Sequence, residues 1–195
     1  MNPRIQPILL DSNAYFRLAL SIHPLLQVCF GEDTQFSLFV LPELDDEYRT
    51  SVRLRHKFMW VAEQQYVQDR RAKRYELKGE KQTQALTAFS FLDRYATDHG
   101  INLSREDLKA LAAGFVMDMP VATDDRGMQT VAEAHQIECW NMVKLLKVMV
   151  SAGRIDMDKV TEVLEYLEED NDLPMPKDRL RRVFKEYFPT GTCPL

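Results

Sequence analysis

"EDLKALAAGFVMDMPVATDD", residues 106–125, sets a run with helical spacing against a short apolar stretch that ends on two carboxylates. Ser104 stands three residues ahead of Asp107, a capping-box-like start for the helix. "PVATDD" (120–125) then reads as a strand leaving into a turn or helix. A helix that feeds a parallel strand runs antiparallel to it, so its N-terminus returns to the strand's carboxyl edge. The lengths agree. About eight helical residues descend ~12 Å, and four strand residues climb back ~13 Å. Asp107 and Asp125, eighteen positions apart, are therefore expected on one rim.

The neighbouring segments repeat the alternation. "IQPILLD" (5–11) is a short apolar run closing on Asp11, as a buried parallel strand would. The helical spacing of Tyr15, Leu18, Ala19 and Ile22 follows it. "QFSLFVLPEL" (35–44) is a second strand, ending at a proline and then Glu43, with a helical pattern from there to about Arg74. A helix over 82–100 stops at Gly100. Beyond the opening stretch come a helix at "MQTVAEAHQ", a fourth strand at "IECW" (137–140) and a helix capped by Gly153. Two more helical segments lie at about 157–169 and 177–187. Strands alternating with helices predict an α/β fold, a parallel sheet with helices on both faces. Ligands of such sheets collect outside the carboxyl ends of the strands.

Composition sets the outer bounds. A chain of 195 residues, 45% hydrophobic and 28% charged, suits one well-buried domain with appendages. No run approaches the ~18–20 apolar residues of a membrane span, and Asp11 arrives too early for a signal-peptide core. Three scattered cysteines, Cys29, Cys139 and Cys193, form neither a disulfide framework nor a zinc pattern. The expectation is a cytoplasmic protein without membrane contact. The net charge is −5, yet residues 49–81 hold ten Lys/Arg against four Asp/Glu. That segment is either a solvated helix face or a surface for an anion. Its candidate nucleic-acid contacts are Arg53, Arg55, Lys57, Arg70, Arg71 and Arg74. Trp60 and Tyr66 among them have the spacing of core aromatics, with base stacking as the alternative.

Asp11, Glu43, Asp107 and Asp125 thus fall at one edge of the sheet. Each also has a plain local reading: Asp11 and Asp125 as helix caps, Glu43 as a first-turn acid, Asp107 as half of a capping box. Four converging carboxylates without a cation repel, and some hold protons through raised pKa values. A hard divalent ion, Mg²⁺ or Mn²⁺, resolves this with oxygen ligands and bridges to substrate phosphates. No histidine or cysteine lies near these acids in sequence, which disfavours zinc. The matching chemistry is metal-assisted phosphodiester hydrolysis.

"ILLDSNAYFRLA", "LPEL", "EDLKALAAGFVMDMPVATDD" and "AEAHQIECWN" together resemble the PIN-domain family, whose best-known members are metal-dependent ribonucleases. The resemblance covers roughly residues 5–150. It places the D-x-N motif on Asp11 with Asn13, the acid after strand two on Glu43, the D-x-x-x-A-A-like helix start on Asp107, and T-x-D on Thr123 and Asp125. Asp124 is left as a cap or an outer charge. The resemblance implies a three-layer α/β/α fold with a four- to five-stranded parallel sheet, carried by residues 1–152. Residues 153–195 are expected as a helical extension packed on it. It further implies an RNA substrate and, as in the shorter VapC-like toxins, an antitoxin or inhibitor partner and a homodimer. A flap-type DNA nuclease or a non-catalytic PIN-scaffold binding module remains the alternative. A haloacid-dehalogenase-like phosphatase wants D-x-D where this chain has Asp11-Ser12-Asn13, and a receiver wants acids before Asp11 that are missing.

Overall fold

The computed structural model describes residues 4–195. Its strands are β1 (Arg4–Leu10), β2 (Thr34–Val40), β3 (Val121–Ala122) and β4 (Cys139–Trp140), all parallel, in the order β2-β1-β3-β4. Ten α-helices surround them among the described residues. Strand alternation divides the interior into two cores. Leu9 and Val121 face one side of the sheet, whereas Ile8, Leu10 and Ala122 face the other, the two-residue repeat a strand imposes. The chain is therefore a three-layer α/β/α sandwich around a four-stranded parallel sheet.

The first layer holds α5 (Glu80–Asp98), α6 (Arg105–Met117) and α7 (Arg126–Ala134), whose Leu92, Leu108, Leu111, Met128 and Val131 pack over Leu9 and Val121. Gly114 permits the closest approach. A Cβ there would lie 2.4 Å from Val121 Cγ2, so α6 rests directly on β3. The second layer holds α1 (Ser12–Leu18), α8 (Met142–Ser151), α9 (Met157–Glu169) and α10 (Lys177–Tyr187). Val160, Leu164, Leu180 and Phe184 join Tyr15, Phe16 and Leu146 in one apolar cluster. Side chains of that size contribute roughly 1.5–3 kcal/mol each when fully buried.

Two segments differ from their sequence patterns. The helical pattern over 44–74 is cut into α2 (Glu43–Thr50), α3 (Val52–Lys57), a 3-10 turn (Met59–Ala62) and α4 (Gln64–Ala72). Ser51 makes the first cut: its backbone is extended and its hydroxyl accepts the Leu54 N–H. The pattern from Tyr15 to Ile22 stops at Leu18. Just beyond it, the backbone N–H groups of Leu25, Leu26 and Gln27 turn to donate to the fully buried Asp69 carboxylate, at 3.0–3.3 Å. Trp60 packs on the core around Tyr15 and Phe58 and meets the buried Tyr66 edge-on.

Candidate active site

Asp11 follows β1 directly, and its N–H extends the ladder to the Ala122 carbonyl at 3.0 Å. Thr123 follows β3, and its N–H donates to the Trp140 carbonyl at 2.9 Å. The two residues are thus locked side by side at the carboxyl edge, where the Thr123 hydroxyl donates to Asp11 Oδ2 at 3.3 Å. The Asp125 N–H in turn donates to the Thr123 oxygen at 3.2 Å. Thr123, 1% exposed, therefore fixes both aspartates. Asp125 is the N-cap of α7, with Oδ1 accepting the Met128 N–H at 2.8 Å. Asp107 closes a capping box with Ser104, each accepting the other's backbone N–H at 2.9–3.0 Å. The caps expected at Asp125 and Asp107 are present and hold these acids at helix starts on the rim, whereas Asp11 occupies the N-cap position of α1 without a side-chain capping bond.

Electrostatics reports the convergence. Burial pushes the Asp11 carboxyl up to about 7, and the charges of Asp107 and Glu47 push the same way. Burial also raises Asp107; its Ser104 hydrogen bonds oppose that, while the charges of Asp125 and Glu106 add to it. Asp11, Asp107 and Asp125 therefore lie within one another's fields in sequence: Asp107 acts on Asp11, and Asp125 on Asp107. A fourth acid, Glu47 on α2, joins them. Burial raises it, the neighbouring Ser12 side chain opposes that, and Asp107 repels it. Glu43, one turn earlier, is occupied by Lys109 at 3.0 Å. It still borders the small recess that contains Asp11, Ser12 and Glu106. Glu47 and Ser12 were the residues the sequence reading missed. The available signal was the i,i+4 relation of Glu43 and Glu47, which places both on one helix face.

The remaining candidates separate clearly. Asn13 is exposed on the first turn of α1. Asp124 points away from the rim: its side chain is 1% exposed, Oδ1 accepts the Met142 N–H of α8 at 3.1 Å, and Oδ2 lies 3.8 Å from Arg17 Nη1. Arg70 requires correction. It is 4% exposed, donates to Asp45 at 2.8 Å and to the Tyr15 hydroxyl at 3.2 Å, and so cannot meet a nucleic acid. Its burial follows from Tyr66, four residues earlier on the same face of α4. Lys57 is held by Asp170 and Asp172, both at 3.3 Å, and Arg74 lies 3.6 Å from Asp45. Arg53, Arg55 and Arg71 are exposed, and Arg53 is close enough to lower Glu47. Cys139, beside the rim, has its thiol pushed up to about 12 by burial and by the charges of Asp11 and Glu138, so it stays protonated.

No protein-family model matches the sequence, and no curated protein matches it. Among solved structures, the fold is similar to the crystal structure of FitAcB from Neisseria gonorrhoeae. The TM-score is 0.45 and the identity 17%, over 69% of this chain and 97% of that one. Likeness at this level leaves the chemistry of the rim to its own residues.

Those residues have the donor chemistry of a hard-cation site: only carboxylates, with Asp107 and Asp125 each committing one oxygen to a helix N-terminus. Among the described residues no three such groups are gathered tightly enough to hold a metal ion as they stand. The acids line the rim without closing on a common point. No helix among the described residues is long and apolar enough to cross a membrane.

Proposed function

We propose that this chain is a Mg²⁺- or Mn²⁺-dependent endoribonuclease that hydrolyses RNA phosphodiester bonds at the Asp11 rim. The observation that carries the reading is the Thr123 hydroxyl joining Asp11 to Asp125 at the carboxyl edge of a parallel sheet, with Asp107 close enough to raise both Asp11 and Glu47. Asp11, Glu47, Asp107 and Asp125 would hold the cation, with Glu43 oriented by Lys109 beside them. When bound, the cation supplies Lewis-acid neutralisation of charge at the phosphate. Thr123 keeps Asp11 and Asp125 aligned, and Arg53 draws the phosphate backbone toward the rim. A small inhibitor protein pairing with the nuclease, in the manner of an antitoxin, and self-association belong to the same proposal and rest on the family resemblance.

The test is cleavage of single-stranded RNA with Mn²⁺ by the wild type, Asp11→Asn and Asp125→Asn, with folding checked by circular dichroism. Loss of at least 100-fold in kcat/KM is expected for both variants, whereas undiminished cleavage by either folded variant refutes the assignment. Matched DNA strands in the same assay separate a flap-type nuclease. The exposed Arg53, Arg55 and Arg71 also fit a second reading, a nucleic-acid-binding module without catalysis. RNA binding with no calorimetric Mn²⁺ signal would select it.

A further inference from the structure

Beside the rim lies a mainly apolar groove of about 340 Å³ between the start of α5, the first half of α6 and the chain at 75–77. Tyr75, Leu77, Leu86 and Phe89 line it, with Arg105 and Lys109 also on its wall. Leu41 and Glu43 belong both to this groove and to the recess that holds Asp11. The two therefore share a wall.

We propose that the groove is a subsite for one base of single-stranded RNA, next to the scissile phosphate; this rests on the nuclease reading of the rim. Its size is at the lower end of the roughly 300–1,000 Å³ of small-ligand sites, which suits a ring system rather than a folded partner. The surfaces are those on which unpaired bases stack. Tyr75 is pre-set by an edge-to-face contact with Phe39, 5.5 Å between centroids at 82°. Arg105 stands over the Phe89 ring at 6.0 Å, so that wall combines a π-face with a cation, a pairing that favours a base with its phosphate attached. Leu86, 64% exposed, leaves apolar surface at the mouth that a base would cover. Lys109 sits against Glu43 at 3.0 Å, between groove and acids. A strand running from groove to rim thus meets stacking surface, then a cation, then the carboxylates.

The experiment uses the full chain in EDTA, so binding is read without cleavage. Fluorescence anisotropy measures affinity for a labelled single-stranded RNA nonamer and for the same nonamer with an abasic nucleotide at each position in turn. One position should lose about tenfold in affinity and the others no more than about twofold. In Phe89→Ala the intact RNA should bind as weakly as that abasic one, and the scan should become flat. Leu86→Ser repeats the test at a position too exposed to compromise folding. A flat scan in the wild type, no RNA binding at all, or an unchanged scan in both folded variants overturns the subsite. A flat scan with active cleavage removes the subsite alone and leaves the groove to a protein segment. A position-specific loss without Mn²⁺-dependent cleavage removes the nuclease reading alone.

Discussion

Asp11 concentrates the cost of the site in one side chain. Its carboxyl titrates near 7 in the folded chain against 3.8 as an unperturbed group. Between those values the native state holds the proton and the unfolded state does not. Stability of the metal-free protein is then fully present below about pH 4 and is lost as pH rises through about 7. The upper limit of that loss is about 4 kcal/mol. Urea denaturation of metal-free protein at pH 5 and pH 8 should show it, and Asp11→Asn should flatten the profile and be the more stable variant at pH 8. Mn²⁺ should stabilise the wild type more at pH 8 than at pH 5, since binding requires the ionised form. At the same scale, Glu47→Gln is expected to reduce kcat/KM by 100-fold or more, and Glu43→Gln by less than about tenfold. The sequence displays both glutamates on one face, but the roll of α2 decides which reaches Asp11. That roll is set by Leu44, 3% exposed, and by the pairing of Glu43 with Lys109, neither of which a pattern of letters contains.

Among the elements, α6 and β3 were the most legible. Helix length, strand length and the Ser104–Asp107 box fix where Asp107 and Asp125 must lie, because both elements have constant rise per residue and opposite direction. Segment 43–74 was legible in composition and not in shape. Its hydrophobic steps persist through Ser51 and the 3-10 turn, so periodicity alone could not find the breaks. What organises it is polar and buried: Asp69 gathers three backbone N–H groups, and Arg70 joins Asp45 to Tyr15. Asp69→Ala would strand those donors in the interior, at ~1–3 kcal/mol each before relaxation. A loss of about 3 kcal/mol or more is expected in urea denaturation. Gly114→Ala tests the α6–β3 contact in the same assay. Its Cβ meets Val121 Cγ2 at 2.4 Å and the Met119 carbonyl oxygen at 3.1 Å, so destabilisation of about 1–3 kcal/mol is expected.

For the whole molecule, the charge asymmetry of the sequence survives folding in reduced form. Six basic side chains of 49–81 are candidates for RNA; one is buried, the exposed Lys57 and Arg74 pair with aspartates, and Arg53, Arg55 and Arg71 are exposed without an ion pair among the described residues. Three phosphate contacts on a single strand give a slope of about −2 for log affinity against log salt, where six would give about −4. Anisotropy titrations between low and moderate salt measure it directly. Charge counting could not make this distinction, since it gives Arg70 and Arg71 the same weight.

The adjacent pair Asp124–Asp125 carries a mechanical consequence. Asp125 opens toward the acids while Asp124 reaches into the opposite layer, where it anchors the first turn of α8 through the Met142 N–H. A single peptide unit separates these two anchored residues. If a cation engages Asp125, the hydrogen-exchange rate of the Met142 amide is expected to change, on the far side of the sheet from that carboxylate.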